Sequence, residues 1–201
     1  KYLNFRFRIN YMEKKEAFHW VDQVAERIIK ERGNKKRYVC AAGITPSGTV
    51  HIGNFREIIT VDLVSRALKY KGKNIRFIYS WDDYDRFRKI PMNIPKQELI
   101  KKYLGIPICD VFDPFKCHEN YAEHFERELE ISLKDVGIKP EFIRQNLMYK
   151  KCKYAEEIKT ALDNKDKIRN ILNKYRKEPL KEEWLPLIVY CEKCKTDFTK
   201  I

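Results

Sequence analysis

A short apolar stretch, 38–42 (Tyr-Val-Cys-Ala-Ala), and a second strand-like stretch, 75–81, flank one glycine-rich loop and one amphipathic helix. No other feature constrains the chain as much. The helix is expected over 55–71, with Phe55, Ile58, Ile59, Val64 and Leu68 inward and Gly72 closing it. Strand, loop, helix and strand in this order predict a βαβ unit, and so two parallel strands joined by a right-handed crossover. Ligands on such α/β sheets bind beyond the carboxyl ends of the strands. Both polar segments of the region fall there. Gly43-Ile44-Thr45-Pro46-Ser47-Gly48-Thr49-Val50-His51-Ile52-Gly53-Asn54 follows the first strand, and Asp82-Asp83-Tyr84-Asp85 follows the second.

The periodicity predicts further helices over 15–32, 120–136 and 154–176, and a short helical piece over 97–103. The inward face of the 120–136 helix is Tyr121, Phe125, Leu129 and Leu133. Pro91, Pro95, Pro107 and Pro114 mark a change of character, so the chain divides into 12–92 and 93–201. Residues 1–11 carry Lys1, Arg6 and Arg8 but no acid, and Met12 followed by Glu-Lys-Lys-Glu reads as a natural start. They are expected to be an extension or artefact. One parallel pair is too little sheet for a complete doubly wound domain, so more strands are expected from outside these residues.

Composition adds limits. In 201 residues, 42 Lys and Arg against 29 Asp and Glu give a net charge of +13, which favours a polyanionic partner without proving nucleic-acid binding. No apolar run is long enough to span a membrane. A secretory signal is not seen, and the six cysteines are expected to be reduced in a cytoplasmic protein, with metal binding the alternative for close pairs.

The loop chemistry suits a nucleotide. Gly43, Gly48 and Gly53 let the backbone approach a ligand closely. Thr45 and Ser47 bring hydroxyls, and His51 precedes a helix start that favours phosphate. A histidine there can donate to oxygens that gain charge in a transition state. A tight turn with a satisfied histidine is the plainer reading of the same residues. The aspartates after the second strand suit a substrate cation or a solvated capping turn. Asp113, Cys117, His118 and His124 are four mixed candidates for zinc, with a helix cap and surface histidines as the alternative. Cys191-x-x-Cys194 reads as half of a four-cysteine zinc site. Cys40, Cys109 and Cys152 read as packing residues. The basic stretch 144–176 suits RNA phosphates or a solvated helix face.

His51-Ile52-Gly53-Asn54 resembles the HIGH signature of class I aminoacyl-tRNA synthetases, with Asn in the last position. Together with Gly43 to Gly48, Phe55-Arg56-Glu57 and Trp81-Asp82-Asp83-Tyr84-Asp85-Arg86-Phe87-Arg88-Lys89, it makes the chain similar to class I lysyl-tRNA synthetases over about 19–194. The resemblance implies the first half of a Rossmann-like, parallel-sheet α/β catalytic domain, followed by a helical, zinc-containing insertion. It implies ATP with Mg2+ as cofactor, and lysine and tRNA(Lys) as partners. His51 and Asn54 would be catalytic, and Thr45, Ser47, His51, Gly53 and Asn54 would bind ATP. Gly43, Thr45, Asp82 and Asp83 would bind lysine. Asp113, Cys117, His118 and His124, and separately Cys191 and Cys194, would hold zinc.

The glutamyl relatives carry an arginine on the first strand for the substrate carboxylate. Here the position is Ala41, which argues against glutamate. The family's second signature, KMSKS, does not occur in these 201 residues. The resemblance therefore implies that the C-terminal half, with KMSKS and the anticodon-binding region, is missing and that the chain alone is nearly inactive. A non-catalytic nucleotide- or tRNA-binding paralogue, or a glutamyl-type enzyme, are the alternatives.

Overall fold

The computed structural model describes residues 19–197, so the expected extension over 1–11 lies outside the described residues. Helix α1 (Trp20–Arg32) leads into strand β1 (Tyr38–Ile44), helix α2 (Ile52–Tyr70) and strand β2 (Ile75–Trp81). The two strands are parallel, with Tyr38 opposite Ile75 and Ile44 opposite Trp81. Strand β1 runs two residues past the apolar stretch. Gly43 allows this, because a Cβ there would lie 2.7 Å from the Ser80 carbonyl oxygen. Helix α2 begins three residues earlier than its periodicity suggests. His51 caps it, its Nδ1 accepting the Gly53 N–H at 3.0 Å.

The chain then passes through a short helix α3 (Gln97–Ile100), two 3-10 turns (Lys101–Tyr103 and Ile108–Asp110) and helix α4 (Tyr121–Asp135). Asn120 caps α4 by accepting from the Glu123 N–H at 3.0 Å. A third parallel strand follows, β3 (Glu141–Arg144), which pairs with β2 from Ile78 opposite Glu141 to Trp81 opposite Arg144. The sheet order is β1-β2-β3. Helices α5 (Gln145–Lys150), α6 (Ala155–Asp163) and α7 (Lys165–Asn173) come last. The single helix expected over 154–176 is therefore two. It breaks at Asn164, an exposed residue whose side chain donates to the Thr160 carbonyl at 2.9 Å.

One face of the sheet carries the core. Ala42, Phe77, Tyr79 and Trp81 are covered there by Ile58 of α2 and by Leu129 and Leu133 of α4. Burying Phe77, Ile58, Leu129 and Leu133 contributes roughly 1.5–3 kcal/mol each. Helix α1 packs on α2 through Val21 and Ala25 against Val64, Ala67 and Leu68. On the opposite sheet face Val39 is 58% exposed and Ala41 is exposed too. A second cluster, with Phe87, Ile100, Ile108, Val111 and Tyr121 at its centre, anchors the segment between β2 and α4.

The inner face of α4 also buries two acids, Glu126 and Glu130. Arg144, at the end of β3, answers both. Its Nε reaches Glu126 at 2.6 Å and its Nη2 reaches Glu130 at 2.7 Å. Glu130 further accepts from Trp81 Nε1 at 3.2 Å and from Arg127 at 2.9 Å. This network ties α4, β2 and β3 together at the end of the sheet where the polar loops gather. No helix among the described residues is long and apolar enough to cross a membrane.

Candidate active site

The β1–α2 loop and the turn after β2 meet at the carboxyl ends of adjacent strands. The Asp82 N–H donates to the Ile44 carbonyl at 3.0 Å, so the two segments leave the sheet side by side. Thr45 Oγ1 donates to Asp85 Oδ2 at 2.9 Å, joining them again one step further out. The Gly43 N–H points at Glu57 of α2 at 3.4 Å. Ser47 is held by its backbone: its carbonyl accepts from the Tyr121 hydroxyl at 2.9 Å, so the first residue of α4 props the loop.

At the start of α2, His51 Nδ1 accepts the Gly53 N–H, which leaves the ring proton on Nε2. His51, Gly53 and Asn54 are exposed or partly so, and Gly53 and Asn54 line a shallow cavity of about 380 Å³ with Arg56 and Glu57. The positive end of this 19-residue helix lies beside the Nε2 proton, while the N–H groups of Gly53, Asn54 and Phe55 are bonded to His51 itself. The helix dipole there favours an anion. Gly53 is required for this capping, since a Cβ there would lie 2.9 Å from the His51 ring.

The two aspartates expected at the lysine site differ in setting. Asp82 is half-buried and opens on a cavity of about 670 Å³ beside Asp85. It accepts from Ser80 Oγ at 2.9 Å, and Ser80 in turn accepts from Gln145 at 2.6 Å. Burial first, and then the charges of Asp85 and Glu57, push Asp82 above the usual carboxylate range against the Ser80 hydrogen bond. Asp83 is 1% exposed, and both its oxygens are taken by Asn146, through the backbone N–H at 2.7 Å and the side-chain amide. Its position thus fixes the start of α5. Glu57 and Asp85 belong to the motif strings, but nothing in their sequence context points to a role. Only the fold shows that they border the same mouth as Gly43, Thr45 and Asp82.

About the turn that precedes α4, Asp113, Cys117, His118 and His124 bring one ligand atom each to within 4.8 Å of one another. Cys117 Sγ is 3.2 Å from His118 Nδ1, 3.1 Å from His124 Nδ1 and 3.4 Å from Asp113 Oδ2. Neighbouring ligands around a tetrahedral zinc are about 3.5 Å apart, so the donor set fits that ion in type and spacing. Burial opposes the charge on Asp113, but the N–H groups of Phe115, Cys117 and His118 outweigh it and hold its carboxyl below the usual range. His124 is stacked on Phe115 at 4.1 Å. Among the described residues no other group of three or more metal-ligand side chains occurs. Cys191 and Cys194 stand as a pair on a turn closed by the Lys195 N–H to the Cys191 carbonyl at 2.8 Å.

A helix start capped by a histidine thus stands beside the carboxylates that follow the next parallel strand, at the strand ends where open α/β sheets bind ligands. Residues 18–201 match the family model for tRNA synthetases class I (K), and the chain belongs to that family. It is 53% identical over 188 residues to a protein of Treponema pallidum named lysine--tRNA ligase, covering 92% of this chain and 36% of that protein. It is 51% identical over 177 residues to the lysine--tRNA ligase of Pyrococcus horikoshii, covering 86% and 34%. The lysine--tRNA ligase of Borreliella burgdorferi is 52% identical over 183 residues, covering 91% and 35%. The chain spans about a third of the length of these relatives.

Proposed function

We propose that the chain forms the ATP- and lysine-binding part of a class I lysine--tRNA ligase that works in the cytoplasm on tRNA(Lys). The observation that carries this reading is the meeting, at adjacent strand ends, of the helix start capped by His51 with a group of carboxylates. The lysine carboxylate attacks the α-phosphorus of ATP. A P–O bond to the amino acid forms and the bond to pyrophosphate breaks. His51 Nε2–H and the positive end of the α2 dipole take the charge displaced onto phosphate oxygens, with Asn54 beside them. Gly43 leaves room at the strand end, Thr45 and Ser47 line the loop, and Asp82 takes an ammonium of lysine. ATP would bind as its Mg2+ complex, which would offset part of its charge. Asp83 holds the turn that presents Asp82. The bare sheet face at Val39 and Ala41 agrees with further polypeptide covering it, since parallel sheets are ordinarily covered on both faces.

A protein of the relatives' full length that carries this chain is expected to exchange pyrophosphate into ATP in response to lysine. Exchange driven by glutamate, or none with lysine, overturns the reading. The 201-residue chain alone is expected to show little exchange.

Zinc is assigned to Asp113, Cys117, His118 and His124, within a helical insertion that begins after residue 92. Its role there is structural, because Tyr121, five residues or fewer from three of the ligands, supports the Ser47 loop. Elemental analysis of the purified chain is expected to give one tightly held zinc at this cluster, lost in both His118→Ala and His124→Ala. Zinc unchanged in both variants rejects these ligands. Cys191 and Cys194 are assigned to a second zinc site that takes its other ligands from outside residues 19–197.

A further inference from the structure

Trp81 and Arg144 are partners in the parallel register of β2 and β3. The residues that follow, Asp82 and Asp83 after β2 and Gln145 and Asn146 after β3, therefore leave the sheet side by side. Asn146 holds Asp83 directly. Gln145 reaches Asp82 through Ser80. Gln145 Nε2 donates to Ser80 Oγ at 2.6 Å, and Ser80 Oγ donates to Asp82 Oδ1 at 2.9 Å. At the far end the hydroxyl of Tyr154, one residue before α6, donates to Gln145 Oε1 at 2.8 Å. The groups themselves fix these directions. A carboxylate can only accept, so the Ser80 proton is spent on Asp82. Ser80 then accepts from Gln145, whose amide nitrogen faces it, and the Gln145 oxygen is left for Tyr154. Three donors in line point towards one carboxylate oxygen.

The charged groups that act on Asp82 are Asp85 and Glu57, both of its own sign, and the phenols of Tyr79 and Tyr149 feel its charge. The hydrogen bond from Ser80 works against them and against burial. A hydroxyl that accepts a hydrogen bond donates a stronger one, because bonds in a chain polarise one another. We propose that Gln145 is a positioning residue for the substrate: by donating to Ser80 it commits the Ser80 proton to Asp82 Oδ1, and so fixes the carboxylate with its second oxygen kept for a cation. Tyr154 holds the Gln145 amide the right way round. The identity of the cation, an ammonium of lysine, rests on the ligase reading, but the relay can be measured without a ligand.

The test follows the side-chain carboxyl of Asp82 by carbon NMR in the free chain as pH is varied. Losing a hydrogen bond to the charged form raises a carboxyl, so Ser80→Ala is expected to move the Asp82 midpoint up by about one pH unit. In Gln145→Glu the introduced carboxylate takes the Ser80 proton and turns it away from Asp82, with a rise at least as large. Gln145→Met leaves Ser80 its proton but no longer orients it, and a smaller rise is expected. A midpoint that Gln145→Met leaves unmoved, or that Gln145→Glu lowers, overturns the proposal. Binding of the sulfamoyl analogue of lysyl-adenylate is then measured on the same samples. Below the Asp82 midpoint Ser80→Ala and Gln145→Glu should bind it about tenfold more weakly than the natural chain, the counterpart of one pH unit, and at pH 8 within about threefold. A loss of packing alone would weaken binding equally at every pH, and that result also overturns the proposal. Midpoints that move as expected in a chain that does not bind the analogue remove the ligase reading and leave the relay. Analogue binding with unmoved midpoints does the reverse.

Discussion

Replacing Arg144 by methionine is expected to destabilise the chain by about 3–5 kcal/mol, the usual cost of leaving buried charges without their partner. Arg144 is the shared counter-ion of Glu126 and Glu130, and Glu126 is almost wholly enclosed. Burial, only partly offset by Arg144, pushes the Glu126 carboxyl up to about 7. A carboxyl raised in the folded state contributes stability that is fully present below its unfolded value. That contribution is lost as pH rises through the folded value. Without Arg144 the carboxyl is raised further, so the loss above neutral pH deepens. Urea denaturation should therefore show a larger gap between Arg144→Met and the natural chain at pH 8 than at pH 5. A loss below 1 kcal/mol, or a gap that narrows with rising pH, contradicts the account of this network. The consequence reaches the site, because Asn146, two residues on, holds Asp83.

The second large effect concerns the start of α2. In a protein of the relatives' full length, His51→Ala is expected to slow lysine-dependent pyrophosphate exchange by about 10²–10³, the range for losing one preorganised donor to a developing oxyanion. Gly53→Ala is expected to act through the same ring. Its Cβ would sit 2.9 Å from His51 Cε1 and 3.0 Å from Nδ1, so the imidazole must leave the position in which Gly53 N–H orients it. Both variants should keep the melting temperature of the natural protein to within a few degrees, since His51 and Gly53 are exposed. Exchange within threefold of the natural rate in His51→Ala removes the histidine from the reaction.

The βαβ unit was legible because its signals are long and local. Period-two burial along β2 places Phe77, Tyr79 and Trp81 on one face, and the stripe Tyr121, Phe125, Leu129 and Leu133 on α4 is buried as its spacing requires. Strand β3 was not legible. Four residues, Glu-Phe-Ile-Arg, carry no usable period, and what makes them a strand is the partner edge of β2, more than sixty residues earlier. The break at Asn164 depends on one side-chain hydrogen bond inside an otherwise unbroken helical pattern.

The site divides in the same way. The loop, the acidic turn and the four mixed ligands could be named from sequence because each is contiguous or nearly so. Their relation could not, since Thr45 meets Asp85 and Tyr121 meets Ser47 only through the fold. The different settings of Asp82 and Asp83 follow from strand parity carried past Trp81. Asp83 continues the buried odd positions, and Asp82 continues the side of Ser80. The contact of Tyr84 with Tyr149 and Tyr190, and of Tyr149 with Tyr154, was likewise invisible in sequence, as the four rings come from three separate segments.

The most direct test of the ligase reading is binding of aminoacyl-adenylate analogues to the chain, followed by calorimetry. The sulfamoyl analogue of lysyl-adenylate is expected to bind and to raise the melting temperature, and Asp82→Asn to abolish its advantage over the glutamyl analogue. Binding of the glutamyl analogue in preference, or of neither, would contradict a site built for lysine and ATP at the ends of β1 and β2.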